Sequence, residues 1–252
     1  MNSSELLWPE LSATADLPPG VVRVWASPLS VTEDFRNRLL GVLSPEERLR
    51  AERFRFDRHR HRFLAGRGIL RTLLGGQLQC NAADLQFALS PKGKPALGGP
   101  FENSGLHFNV AHAVDLLLVA ITRLGPVGVD VEPLRELKDA GDLVKRFFSP
   151  RESERFHALR REEQPAAFFN LWTRKEAWLK ATGEGIAGGL DRVEVTFEAG
   201  EPARVISIAG DVELATCWTL EALQPAVEWA GAVAIRASPR CFEHGKFSAG
   251  LQ

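Results

Sequence analysis

Residues 127–132 read Val-Gly-Val-Asp-Val-Glu, and this hexapeptide constrains the fold more than any other stretch of the chain. Side chains alternate along a strand, so Val127, Val129 and Val131 share one face and Gly128, Asp130 and Glu132 share the other. The valine face requires a core. Carboxylates are depleted in strands. The two acids therefore mark either a solvent-facing edge strand whose charges discourage aggregation or a site for a hard cation. The fragment alone leaves both readings open.

The surroundings suit a folded α+β protein. The chain has 252 residues, enough for one large domain or two small ones, and its 44% hydrophobic content supports a sizeable core. A net charge of −1 gives no overall bias toward nucleic acid or anionic membranes. Three widely spaced cysteines, Cys80, Cys217 and Cys241, argue against a disulfide framework and for a reducing compartment. The N-terminus has no basic start and no long apolar run, so no secretory signal is expected. Leu116–Ile121 is the longest apolar run, too short for a membrane span and suited to a buried strand. A cytoplasmic protein is expected.

Along the chain, an extended lead-in of about twenty residues precedes strand-like 21–26. Ser44, Pro45 and Glu47 form a helix start, and Gly75–Gly76 a stop, framing one long helix or two consecutive ones. Residues 85–97 predict a strand running into a Pro/Gly loop, and 106–123 a short strand, a turn and a buried strand. After strand 127–132, helices are expected around 136–147, 150–160 and 164–182. Four strands are expected at 192–199, 203–209, 213–221 and 229–237, with everything after Pro239 a tail. The organisation predicted is two similar α+β halves, 1–124 and 125–236, with 237–252 as the tail.

Helix 164–182 carries Trp172, Glu176 and Lys180 on one stripe. Glu176 and Lys180 are either a solvated pair worth about 0.3–0.5 kcal/mol or parts of a site. In the second reading Glu176 joins Asp130 and Glu132 as a third carboxylate, and Lys180 lies beside a bound phosphate. The arginines between Arg48 and Arg71 are an anion site, a nucleic-acid face or a solvated helix face. Interleaved Glu46, Glu47, Glu52 and Asp57 weaken the nucleic-acid reading. Lys92 and Lys94 place two ammonium groups on a loop, a chemistry suited to phosphates. His112 is structural, or a phosphate or base-edge contact.

Taken in order, these fragments resemble the longer, pseudo-dimeric Sfp-type members of the 4′-phosphopantetheinyl transferase superfamily. The likeness rests on "GVDVE", on "KRFFSPRESERF" at 145–156, and on "WTRKEAWLKATGEG", which is similar to the family's W-x-x-K-E-x-x-x-K-x-x-G signature. "RFLAGRGILR", "KGKPAL" and "FNVAH" occupy the family's order upstream, and the resemblance covers residues 44–195. It implies two α/β halves packed as a pseudo-dimer with the active site in the cleft between them. The implied reaction is Mg²⁺-dependent, with Mn²⁺ able to stand in. It moves 4′-phosphopantetheine from coenzyme A to a serine of an apo acyl- or peptidyl-carrier protein and releases 3′,5′-ADP.

The resemblance also implies roles. Asp130, Glu132 and Glu176 match the metal ligands, with Glu176 also the candidate general base, and Lys180 matches the lysine beside the α-phosphate. Lys92 and Lys94 match the loop that meets the pyrophosphate, Asn109 and His112 the segment near the 3′-phosphate, and Arg50 and Arg67 basic residues of that site. Two departures stand out. Ala111 replaces a common serine, and Glu47 stands where some members carry a second lysine. The segment after Glu132, with Leu134, Leu137, Leu143 and Val144, is the expected carrier contact. A monomer is expected, with no nucleic-acid or membrane partner. Two rival functions remain: a module that binds coenzyme A or a carrier without transfer, and an RNA-binding protein using the Arg-rich helix.

Overall fold

A computed structural model describes residues 5–90, 93–185 and 189–247. The protein is a mixed α+β structure with two main sheets. The first has the order β11-β1-β5-β4, built from β1 (Val21–Pro28), β4 (His107–Ala113), β5 (Leu116–Thr122) and β11 (Cys241–Lys246). The second has the order β6-β10-β9, from β6 (Val127–Pro133), β9 (Thr219–Leu223) and β10 (Trp229–Ile235). Two small hairpins, β2 (Gln86–Leu89) with β3 (Pro95–Gly98) and β7 (Val193–Val195) with β8 (Val205–Ile208), sit apart from them.

The alternation read in the sequence sets the layering. Val22, Val24 and Ala26 of β1 and Leu116, Leu118 and Ala120 of β5 pack on Val127, Val129 and Val131 of β6, so the sheets meet face to face. The opposite face of the first sheet, with Trp25, Leu117, Val119 and Ile121, is covered by Ile69, Leu70, Leu73 and Leu74 of α3 (Asp57–Leu78). The outer face of the second sheet, with Ala230, Ala232 and Ala234 of β10, is covered by α6 (Gln164–Thr182). The small alanines let that helix lie close. α4 (Ala140–Phe147) and α5 (Pro150–Ala158) complete this core. Helix, sheet, sheet and helix thus form four layers, and residues from both inner sheet faces exclude water from the seam.

Several expectations change. Residues 44–78 form two helices, α2 (Pro45–Glu52) and α3, with the capping box at Ser44 and Glu47 in place. Gly75–Gly76 do not stop α3, which continues to Leu78 and ends at Gln79 in the left-handed region, φ 53°. Gly76 is there for packing: a Cβ on it would stand 2.5 Å from the carbonyl oxygen of Ala13 in the lead-in. α1 (Glu33–Gly41), capped by Thr32, carries no strong apolar period and was not foreseen. Residues 213–216, expected in a strand, belong to the short helix α7 (Val212–Thr216), because Asp211 accepts from the amides of Glu213 and Leu214.

Nor are residues 237–247 a tail. β11 runs parallel to β1, Val21 opposite Cys241 through Ala26 opposite Lys246, while 248–252 lie outside the described residues. The sequence Cys-Phe-Glu-His-Gly-Lys has no hydrophobic alternation to announce a strand. What recruits it is the unpaired edge of β1 and the buried guanidinium of Arg23, which Glu243 meets at 2.7 Å.

Candidate active site

Gly128, Asp130 and Glu132 point from β6 toward α6. A Cβ on Gly128 would lie 2.0 Å from the carbonyl oxygen of Ala177 and 2.4 Å from the amide of Ala181, so only glycine lets the helix backbone rest on the strand there. That close approach brings the Glu176–Lys180 stripe to the acidic face of β6. Lys180 Nζ donates to Asp130 Oδ1 at 2.7 Å and to the Val129 carbonyl at 3.2 Å. Its partner is therefore Asp130 on the strand, not Glu176 one turn away on its own helix.

The carboxylates are not fully paired. Asp130 Oδ2 and Glu176 Oε1 are buried and have no hydrogen-bond partner among the described residues, a costly arrangement for two acids in a protein interior. Burial pushes the Glu176 carboxyl above its ordinary range, and Asp130 and then Glu132 push it further against the pull of Lys180. Burial raises Asp130 as well, with Lys180 opposing. Burial and Asp130 raise Glu132, while Arg135 and Lys180 oppose. Three acids thus share one field with one close ammonium. Among the described residues no three such side chains already close around a point as a metal cage. The set is open, and its hard oxygen donors, two of them buried without partners, fit a cation of the Mg²⁺ kind.

The first half contributes unevenly. Lys94 crosses the seam: its Nζ donates to the carbonyls of Lys180 at 2.6 Å, Val127 at 3.0 Å and Ala181 at 3.4 Å. These three carbonyls engage the ammonium group of Lys94, the residue expected at the pyrophosphate. It caps the last turn of α6 and pins it to the start of β6. Burial lowers its pKa to about 8. Lys92 lies outside the described residues. Asn109 is buried, and its Oδ1 accepts the Val129 amide at 2.9 Å. It ties β4 to β6. His112 stands near the end of β4 with much of its surface open to solvent, and partial desolvation of its ring, then the fields of Lys180 and Arg62, lower its pKa.

Arg50, Arg67 and Arg71 belong to one basic cluster, since Arg71 and Arg50 both add to the positive field at Arg67. Arg67 Nε donates to Glu47 Oε1 at 2.8 Å, and Arg71 Nε to Glu47 Oε2 at 2.6 Å. Glu47, the departure noted in the sequence, is the buried carboxylate that holds these guanidiniums. Arg67 also lies over the Phe87 ring at 4.3 Å, and Arg50 over Phe63 at 5.3 Å. Val144, an expected carrier contact, is fully buried in the core, while Leu143 is half-buried and Phe147, one turn on, is exposed.

Sequence reasoning missed a second charged centre on α6. Lys175 is fully buried and pairs with buried Glu152 at 2.7 Å. It also donates to the carbonyls of Leu190, at 2.8 Å, and Val193. The capping box of Ser149 and Glu152 was the available signal, because it puts Glu152 at the third position of α5, turned inward.

Comparison with known proteins agrees with this architecture. The model of the 4′-phosphopantetheinyl transferase superfamily matches residues 126–234, and that of the N-terminal region of 4′-phosphopantetheinyl transferases matches 30–123. The chain is 42% identical over 214 residues to 4′-phosphopantetheinyl transferase HetI of Nostoc, covering 85% of this chain and 87% of the relative. It is 31% identical over 168 residues to 4′-phosphopantetheinyl transferase Sfp of Bacillus subtilis, covering 67% and 71%. A phosphopantetheinyl transferase of Thraustochytrium is 31% identical over 210 residues, covering 77% and 72%. The chain belongs to the 4′-phosphopantetheinyl transferase superfamily. It is a transferase, and the group it moves onto carrier proteins is phosphopantetheine.

Proposed function

We propose that the donor is coenzyme A, that the acceptor is a serine hydroxyl of an apo acyl- or peptidyl-carrier protein, and that Asp130, Glu132 and Glu176 hold a Mg²⁺ ion between them. The observation that carries this reading is the pair of buried, unpartnered carboxylate oxygens on Asp130 and Glu176. One lysine cannot neutralise three acids. When bound, Mg²⁺ supplies charge neutralisation and Lewis-acid polarisation at the pyrophosphate.

The chain's own groups divide the remaining work. Glu176, whose carboxyl is held above its ordinary range, accepts the serine proton as the serine oxygen bonds to the β-phosphorus. The bond from that phosphorus to the bridging oxygen breaks, and 3′,5′-ADP leaves with the electron pair. Lys180, fixed at the Asp130 end of the stripe, is the ammonium that meets the negative charge developing there. His112, Arg50 and Arg67 receive the 3′-phosphate end. Lys94 and Asn109 act through the seam, by holding α6 and β4 against β6. Leu143, Phe147 and the segment after Glu132 face the carrier.

The 1–124 and 125–236 halves are read as a pseudo-dimer working as a monomer in the cytoplasm. Support comes from the two family matches, which meet at residues 124–125, and from one chain supplying both sides of the seam. No helix among the described residues is long and apolar enough to cross a membrane. Incubation with coenzyme A, Mg²⁺ and apo carrier should add phosphopantetheine to the carrier by mass spectrometry, and EDTA should stop it. Unmodified acyl- and peptidyl-carrier proteins, or full activity in EDTA, would sink the donor–acceptor or the metal assignment respectively.

A further inference from the structure

We propose that residues 6–11 form an acid-released clasp, closed while the His244 ring under Trp8 is neutral and opened when that ring takes a proton. The clasp and the strand it lies on, β11, fall outside the regions matched by the two family models, 30–123 and 126–234.

The N-terminal segment is held in two different ways. Residues 13–16 are tied by buried side-chain donors. Arg23 gives Nη1 to the Ala15 carbonyl at 2.7 Å and Nη2 to the Asp16 carbonyl at 3.0 Å. Gln77 Nε2 reaches the carbonyls of Ala13 at 2.7 Å and Ala15 at 3.0 Å. Residues 6–11 instead wrap the outer edge of β11. Leu11 packs with the Trp25 cluster on the α3 side, while Leu6 and Trp8 pack with the valine cluster on the seam side. Backbone bonds hold this part: Leu11 N–H to the Lys246 carbonyl at 3.1 Å, Lys246 N–H to Pro9 at 2.7 Å, and Leu7 N–H to Pro225, between β9 and β10, at 2.9 Å. Its aromatic seat is Trp8, stacked on His244 with ring centroids 5.0 Å apart.

His244 makes that seat depend on protonation. It lies beside Val24 in register, on the seam face, and its Nε2 is buried with no hydrogen-bond partner among the described residues. A neutral imidazole leaves one nitrogen unsatisfied there. An imidazolium puts a charged N–H in the same dry position, at a higher cost. The surrounding charges do not compensate. Glu243 turns to the opposite face and meets Arg23 at 2.7 Å. Lys246, on the same face as His244, is itself a cation, 3.9 Å from Glu10 of the clasp. β1 presents Val22, Val24 and Ala26 on this side. In the second sheet the acid on the seam face is Glu221, beside Val233 in register, and burial raises it. Burial likewise holds His244 below its ordinary value of 6.5. A group shifted this way stabilises the closed clasp fully above 6.5, and that stabilisation is lost as pH falls from there through the lowered value.

Hydrogen exchange on the full chain tests the clasp. Between about pH 7.5 and 5.5, corrected for intrinsic rates, protection of the Leu7, Leu11 and Lys246 amides should fall by up to about tenfold, the limit set by linkage to one proton. At both pH values these amides should be less protected than those of β5, which marks a local opening. His244→Phe keeps the stack but takes no proton, and should abolish the pH dependence. If that variant does not fold, Trp8→Ala, which opens the ring to water, should abolish it at lower overall protection. A fall of less than about twofold in the wild type overturns the proposal, as does an equal fall in the variant that folds. Protection matching that of β5 at both pH values also overturns it, because residues 6–11 would then open only with the whole fold.

Discussion

Two lysines five residues apart on α6 sit in opposite electrostatic situations. Lys175 is enclosed: Glu152 and two backbone carbonyls take its protons. Glu152 in turn accepts from the amides of Ser149 and Val195. Every strong group there has a partner, and the network joins α5, α6 and β7. Lys180 stands among three acids, and two of their buried oxygens have no partner among the described residues. One centre is complete and holds the fold together. The other is incomplete among the described residues, and the proposed Mg²⁺ is what would complete it.

Breaking the complete centre should cost most. Lys175→Met leaves the Glu152 carboxylate buried and unpaired, and stability should fall by about 3–5 kcal/mol in urea denaturation. A loss below about 1 kcal/mol would show that water reaches Glu152 and that the contrast is wrong.

Breaking the incomplete centre should do the reverse. Asp130→Asn and Glu176→Gln should each cut transfer at least about 100-fold, since even outer partners of metal ligands cost about 10–100-fold. Glu176→Gln should also raise the melting temperature in EDTA, because it removes a buried charge. Loss of both activity and stability would place Glu176 with the structural residues.

Mg²⁺ and pH sharpen the same point. A carboxyl whose pKa is higher folded than unfolded binds protons more readily in the folded state. Its stabilising effect is complete below the unfolded value, 4.5 for Glu176, and is lost as pH rises through the raised folded value. In EDTA the protein should therefore lose stability from about pH 4.5 upward. Saturating Mg²⁺ should flatten that fall and add about 2.7 kcal/mol at a hundred times its Kd. Differential scanning calorimetry with and without Mg²⁺ reads this directly, and a pH profile indifferent to Mg²⁺ would count against the site.

The smallest effect expected is at Gly128. Gly128→Ala forces α6 off β6, costing about 1–3 kcal/mol, and separates Glu176 and Lys180 from Asp130. Activity should drop further than stability alone explains, measured as kcat at a temperature where the variant remains folded.

Much of this was legible in the chain. The alternation in 127–132 told which face of β6 was core and which held the acids, because a strand admits only two faces. The helix stripe told that Glu176 and Lys180 travel together, and Ser44-Pro45 and Ser149-Pro150 marked helix starts, since capping is local chemistry. Residues 241–246 were not legible as a strand, because the reason they pair lies in the edge of β1 and in Arg23, more than two hundred residues away. Gly76 read as a stop because nothing local reveals that Ala13 leaves no room for a side chain.

The site divides in the same way. Residue types and spacing determined which carboxylates and which lysine could act together. Tertiary structure alone decided that Lys180 belongs to Asp130, that Lys94 meets the last turn of α6, and that Glu47 anchors Arg67 and Arg71. Sequence sets chemistry and local geometry. Which ammonium meets which oxygen depends on how closely two elements approach, and here that is fixed by a missing Cβ at Gly128 and by a seam of valines packed between two sheets.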